Sequence, residues 1–195
     1  MTNSASSELK TANRIIAVVG MCGSGKSLVC DAIEKKGFAK IHFGGITMDE
    51  VKKRGLAVSE ESEKKVREEL RKKYGMAAYA QLNLQKIKLL LQKGNVLIDG
   101  LYSWSEYKLL KQEFGDKLMV VAVHASPKIR AARLATRAVR PLTSNEVAAR
   151  DAAEIETLEK GGPIAMADVV FTNEGNKQQL LVQIISFFQK KQKTF

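Results

Sequence analysis

The stretch that most constrains this chain is "IIAVVGMCGSGKSLV", an apolar run that turns through three glycines straight into a helical pattern. Gly20, Gly25, Lys26 and Ser27 satisfy the spacing G-x-x-x-x-G-K-[ST], and the strand before and helix after are the context this motif needs. Glycines let the backbone wrap around an anion, so that successive amide N–H groups and the positive end of the helix point at phosphates. Lys26 then reaches the β- and γ-phosphates of a nucleotide, and the Ser27 hydroxyl takes Mg²⁺. The alternative is an ordinary glycine-rich turn between a strand and a helix.

From Arg14 onward the pattern alternates. "IIAVV", "FAKIHF", "NVLIDG", "KLMVVAVH" and "ADVVFT" read as buried strands, with helical stretches between them and after the last. Short apolar runs separated by helices imply parallel strands covered on both faces, so the expected fold class is α/β: a three-layer α/β/α P-loop NTPase with a five-stranded parallel sheet. "TMDE" (Thr47, Glu50), "SWSE" (Ser103, Glu106) and "TSNE" (Thr143, Glu146) each fit a capping box at a helix start. Ser126-Pro127 places Pro at a first helical position. Residues 1 to 13 are polar and aperiodic and are expected to form a frayed tail, leaving one domain from residue 14 to 195.

A nucleotide-bound Mg²⁺ also needs a carboxylate, because the ion is hard and keeps oxygen ligands. Asp99 ends the third strand, where ligands of open α/β sheets collect, and is the candidate for the metal or for a catalytic base; a turn or cap aspartate is the alternative. In "PKIRAARLATRAVRP", Arg130, Arg133, Arg137 and Arg140 share one helix face without an acid, which calls for an anion opposite them, a triphosphate being one candidate; a solvated face paired with distant carboxylates is the alternative. The following segment is the expected lid, about 140–165, with Arg150 ahead of Asp151 and Glu154 on a helix and Gly161-Gly162-Pro163 as its hinge. Glu156 and Lys160 read as helix salt-bridge residues. His42 and His124 end strands on the ligand side and read as packed or capping histidines, with acid–base roles open to both.

The formal charge is +11, from 32 Lys+Arg against 21 Asp+Glu. That balance suits an anionic ligand, while aromatic residues at 6% are too few for the basic-aromatic interleaving of a nucleic-acid surface, so a nucleic-acid or protein partner has no support. Neither an apolar leader nor a bilayer-length run is present, so no membrane is expected and the cytoplasm is the default setting. Cys22 and Cys30 have no partner at metal-ligand spacing, which leaves any metal oxygen-bound.

The order of phosphate loop, second strand, helical insertion, "DG", "HASPKIRAARLATR" and "RDAAE…IAMADVVFTNEG" resembles the nucleoside-monophosphate-kinase-like branch of P-loop proteins over roughly residues 14 to 187. More closely it is similar to a mainly archaeal adenylate-kinase-like family, with dephospho-CoA kinase a more distant relative. The resemblance implies a helical acceptor insertion at about 47–93 and ATP as phosphate donor with Mg²⁺. It places Gly20, Gly23, Ser24, Gly25, Lys26, Ser27 and Leu28 on the nucleotide, Ser27 and Asp99 at the metal, Arg133, Arg137 and Arg150 at the phosphates, and Asn173 to Asn176, Gly175 included, beside the base. Catalysis would then rest on Lys26, Asp99, Arg137 and Arg150. Related kinases carry an acceptor-gripping Arg after the second strand and another after "DG"; this chain has "GGITM", with Gly45 and Met48, and then Tyr102 in those places. The implied activity is transfer of the γ-phosphate to a small, anionic, nucleotide-like or coenzyme-like acceptor. A P-loop ATPase switch acting on a protein or RNA is the alternative.

Overall fold

A computed structural model describes residues 13–191. The expected frayed tail falls outside the described residues except for Asn13, whose side-chain amide donates to Leu91 O at 2.8 Å. Five strands, β1 (Ile15–Val19), β2 (Ala39–His42), β3 (Val96–Asp99), β4 (Leu118–His124) and β5 (Val169–Thr172), pair in parallel in the order β2-β3-β1-β4-β5. This is the expected α/β architecture, an all-parallel sheet with helices on both sides.

β1 lies at the centre and every one of its residues is buried, which is why its sequence is uninterrupted apolar and not alternating. The strand period of two nevertheless sorts its side chains: Ile15, Ala17 and Val19 face one core, Ile16 and Val18 the other. The first core is closed by α2 (Gly45–Lys53), α3 (Glu60–Tyr74), α4 (Ala78–Lys93) and α5 (Trp104–Phe114), through Val51, Val66, Ile87 and Leu110. The second is closed by α1 (Lys26–Glu34) and α9 (Lys177–Lys190), through Val29, Ile33, Leu180 and Ile184. From β1 the chain crosses to β2, then returns through β3 before β4 forms on the other side, so a crevice opens at the carboxyl end of β1. The register sets Asp99 beside Val18 and His42 beside Asp99 at that edge.

Local signals hold at most helix starts. Ser103 and Thr143 complete capping boxes with Glu106 and Glu146 at the heads of α5 and α7 (Ser144–Ala152), and Pro127 opens α6 (Pro127–Thr136). The expected box at Thr47 does not form. α2 starts two residues earlier at Gly45, and the Thr47 hydroxyl instead hydrogen-bonds the buried Tyr79 hydroxyl at 2.6 Å, a partner that a buried phenol requires. Nor do Gly161-Gly162-Pro163 break the chain. They open a short helix, α8 (Gly161–Ala165), where Pro163 sits in a first turn that needs no N–H donor. Glycine is required at 162, because a Cβ there would lie 2.7 Å from the Trp104 ring.

Glu106 couples the fold to pH. Its Oε2 accepts from Tyr102 N at 2.8 Å and Ser103 N at 3.2 Å, while complete burial raises its pKa from 4.5 to about 7. Between those values the folded chain keeps a proton that the unfolded chain has released, so this group's contribution is present below pH 4.5 and lost as pH rises through about 7. Glu106→Gln keeps an acceptor for both amides and removes the titration. Denaturant unfolding at pH 5 and pH 8 should show the wild type losing on the order of 3 kcal/mol more than the variant across that interval; equal losses would place the titration elsewhere.

Candidate active site at the carboxyl edge of the sheet

Between β1 and α1 the loop of residues 20–25 turns tightly enough that Gly25 adopts φ +98°, the left-handed region that disfavours any side chain. Space forbids one as well: a Cβ on Gly25 would stand 2.2 Å from Asn173 Nδ2, and one on Gly20 2.4 Å from Val123 O. Asn173 follows β5, and its side-chain amide donates to Ser24 O at 2.8 Å while its backbone N–H donates to His124 O at 2.7 Å. The neighbouring strand end therefore braces the loop. Lys26 folds back over it, its ammonium donating to Gly20 O at 2.8 Å and Met21 O at 3.1 Å. Burial, and next the charge of Lys160, lower the Lys26 pKa.

Asp99 stands at the end of β3, its Oδ2 3.4 Å from His42 Nδ1. Burial raises the carboxyl's pKa, but the hydrogen bond and charge of His42 outweigh it and hold Asp99 below the ordinary value. The bond to Asp99 raises the His42 pKa in turn, so His42 is a partner of the candidate carboxylate and no mere packing residue. Cys30 on α1 abuts the same carboxylate; burial first, and Asp99 next, push its thiol up. Ser27 is exposed at the head of α1 and Leu28 is partly buried behind it. Tyr102, which holds the place of an acceptor arginine, lies over the Gly100 turn, its hydroxyl so close to Gly44 that a Cβ there would be 3.1 Å away.

The four arginines expected on one face do not act as one cluster. Arg130 is buried and makes a bidentate pair with Asp151 at 2.6 and 2.8 Å, also donating to Cys22 O at 3.2 Å and Ala125 O at 3.1 Å. Arg133 Nη2 donates to Asn173 Oδ1 at 3.3 Å and Gly175 O at 3.2 Å, bringing together three of the residues expected near the nucleotide. Arg137 caps α6 and its Nε donates to Arg140 O. Arg140 reaches across to α3, pairing with Glu60 at 3.3 Å and Glu63 at 3.1 Å. α6 ends at Thr136, so the helical periodicity used to align these residues stops before Arg137 and Arg140.

Arg150 lies at the end of α7, half-exposed, with Nε 3.8 Å from Glu154 Oε1. Glu154 itself is a functional candidate that the sequence reading treated only as a helix neighbour. After α7 the helix widens into a π-turn over Ala153–Thr157, which carries Glu154 inward until its Oε2 accepts from Cys22 N at 3.1 Å. Lys160 is likewise no exposed helix salt-bridge residue: it is 2% exposed, with Nζ 2.9 Å from that same Oε2. The four-residue step from Arg150 to Glu154 was the available signal for one of these contacts; nothing in the spacing marks Lys160.

The comparisons agree with this geometry. The family described as "AAA domain" matches residues 16–159. A UPF0200 protein of Thermococcus gammatolerans is 38% identical over 180 residues, covering 90% of this chain and 94% of the relative. A shikimate kinase from Bacteroides thetaiotaomicron superposes with a TM-score of 0.58 at 13% identity, over 92% of this chain and 98% of that one. A gluconokinase from Sinorhizobium meliloti 1021 does so with a TM-score of 0.55 at 18% identity, over 92% and 95%. At those identities the two structures speak for the fold alone. Matched over residues 16–159 and 38% identical to its thermococcal relative, the chain belongs to the AAA domain family and to the UPF0200 proteins.

Proposed function

We propose that the chain is a P-loop phosphotransferase that moves the γ-phosphate of ATP to a small acceptor. The observation that carries this reading is the placement of Lys26 and the loop amides at the end of β1 with Asp99 one strand away, on the edge where β-strands of this topology bind ligands. A P-loop protein of this kind binds a nucleotide; the transfer is the step proposed here. Gly23, Ser24, Gly25, Lys26, Ser27 and Leu28 cradle the phosphates, with Lys26 leaving the loop carbonyls for the β- and γ-oxygens. Arg133, Asn173 and Gly175 form the flank where the nucleoside lies. Arg150, 3.8 Å from the Glu154 carboxylate that meets the loop, and Arg137, at the end of α6, stabilise charge on the transferring group.

The donor set at Ser27 and Asp99 fits Mg²⁺, since a hydroxyl and an ionised carboxylate are hard oxygen ligands and His42 keeps Asp99 ionised. When bound there the ion neutralises developing charge on the phosphate oxygens. For a hydroxyl acceptor, Asp99 takes the proton, with His42 3.4 Å away orienting it. Among the described residues no helix is long and apolar enough to cross a membrane, which suits a cytoplasmic enzyme working on soluble anions.

A second reading, an ATPase switch acting on a protein or RNA, is favoured by Tyr102, whose ring occupies the acceptor side between Gly44 and Gly100. ADP release from Mg–ATP separates the two readings. It is measured with and without nucleoside monophosphates, dephospho-coenzyme A, shikimate and gluconate. Stimulation by one of them supports the kinase; a slow rate indifferent to all of them favours the switch. Steady-state kinetics of Lys26→Ala should show turnover reduced by at least about 100-fold. Asp99→Asn should lower the rate by about the same factor while nucleotide affinity stays within about threefold. A normal rate in Lys26→Ala would end the phosphate-cradle reading, and a normal rate in Asp99→Asn would make that residue structural.

A further inference from the structure

Glu154 occupies the phosphate loop in a way that a brace between helices does not explain. One oxygen, Oε2, takes both the Cys22 amide at 3.1 Å and the Lys160 ammonium at 2.9 Å. The other lies 3.8 Å from Arg150 Nε. Two cations, Lys160 and Arg150, therefore meet a single carboxylate, and the Lys26 ammonium lies on the same loop, donating to Gly20 O and Met21 O. Lys160 and Glu154 are 2% and 8% exposed, so water does little to screen that excess. A buried site with more positive charge than its resident anion neutralises favours a more highly charged anion, and a terminal phosphate carries about two negative charges.

We propose that Lys160 is a further catalytic residue, binding the terminal phosphate of a nucleoside triphosphate, and that Glu154 is the internal anion which holds that phosphate's place on the Cys22 amide. The inference rests on the nucleotide-binding half of the proposed function and is independent of the acceptor. Entry of the triphosphate displaces the carboxylate and leaves Lys160 and the amide to the phosphate, so no bond is made or broken in the exchange. The π-turn that carries Glu154 is in keeping with this, since such widened turns are rare and recur at functional sites. Tyr102 keeps Lys160 in register, its ring centroid 5.6 Å from the ammonium.

Calorimetric titration of ATP and ADP, each with Mg²⁺, into the full chain and three variants tests the exchange. Glu154→Gln removes the competing charge and should tighten ATP by about fivefold or more while changing ADP by less than about twofold. Lys160→Met should weaken ATP by about tenfold and ADP much less, and Lys160→Arg should leave ATP within about threefold of the wild type. If Glu154→Gln and Lys160→Met both weaken ATP and ADP alike, the pair is a structural brace and the proposal is overturned. Should Glu154→Gln fail to fold by circular dichroism, the Lys160 variants decide: an ATP-to-ADP preference lost in Met and kept in Arg supports the exchange, and one unchanged in both rejects it. A wild type that binds neither nucleotide defeats the phosphate-loop reading itself; one that binds ATP with variants indifferent to the third phosphate defeats this inference alone.

Discussion

The backbone of the loop between β1 and α1 cannot satisfy its own hydrogen bonds, and the surrounding structure is arranged around that deficit. Tight glycine turns leave amides and carbonyls facing inward, where each unpaired group would cost about 1–3 kcal/mol. Lys26 serves Gly20 O and Met21 O, Arg130 serves Cys22 O, Asn173 serves Ser24 O, and Glu154 serves Cys22 N. These four side chains come from α1, α6, the segment after β5 and the π-turn after α7. Secondary elements far apart in sequence are thus tied to one short loop, and of these side chains Lys26 is the one whose carbonyl partners a phosphate oxygen can replace.

Two of these contacts are of different physical kinds. The Arg130 guanidinium is committed: buried, bidentate to Asp151 and bonded to two carbonyls, it has four of its five N–H donors placed within the fold, and breaking its pair would leave an uncompensated buried charge. In the contacts of Lys26 and Glu154 it is the donors, the Lys26 ammonium and the Cys22 amide, that could turn from a carbonyl or a carboxylate to a phosphate oxygen. Charge of one sign on a helix therefore says little until the partner is known. The four arginines from Arg130 to Arg140 look alike in sequence and end on a carboxylate, a strand-end amide, a backbone carbonyl and a neighbouring helix.

The acceptor side differs from the donor side in the same terms. Met48 and Tyr102 stand where the resemblance to nucleoside-monophosphate kinases implies arginines, and Tyr102 fills the gap between two glycine turns. Asp99 and His42 form a hydrogen-bonded pair at the opening.

Much of this was legible in the chain itself. Uninterrupted apolar runs between amphipathic stretches determine a parallel sheet covered on both faces, and the loop spacing determines the strand–loop–helix turn after β1, because both depend on neighbours within a few residues. Caps at Ser103 and Thr143 follow for the same reason, whereas Thr47 was claimed by Tyr79, thirty-two residues away, and Gly162 by a Trp ring. Only the tertiary structure decided the partner of each charge. A π-turn moved Glu154 onto the loop, the short turn between it and α8 buried Lys160 beside it, and strand register put His42 against Asp99. Electrostatic pairing depends on distances across the fold, which local periodicity does not encode.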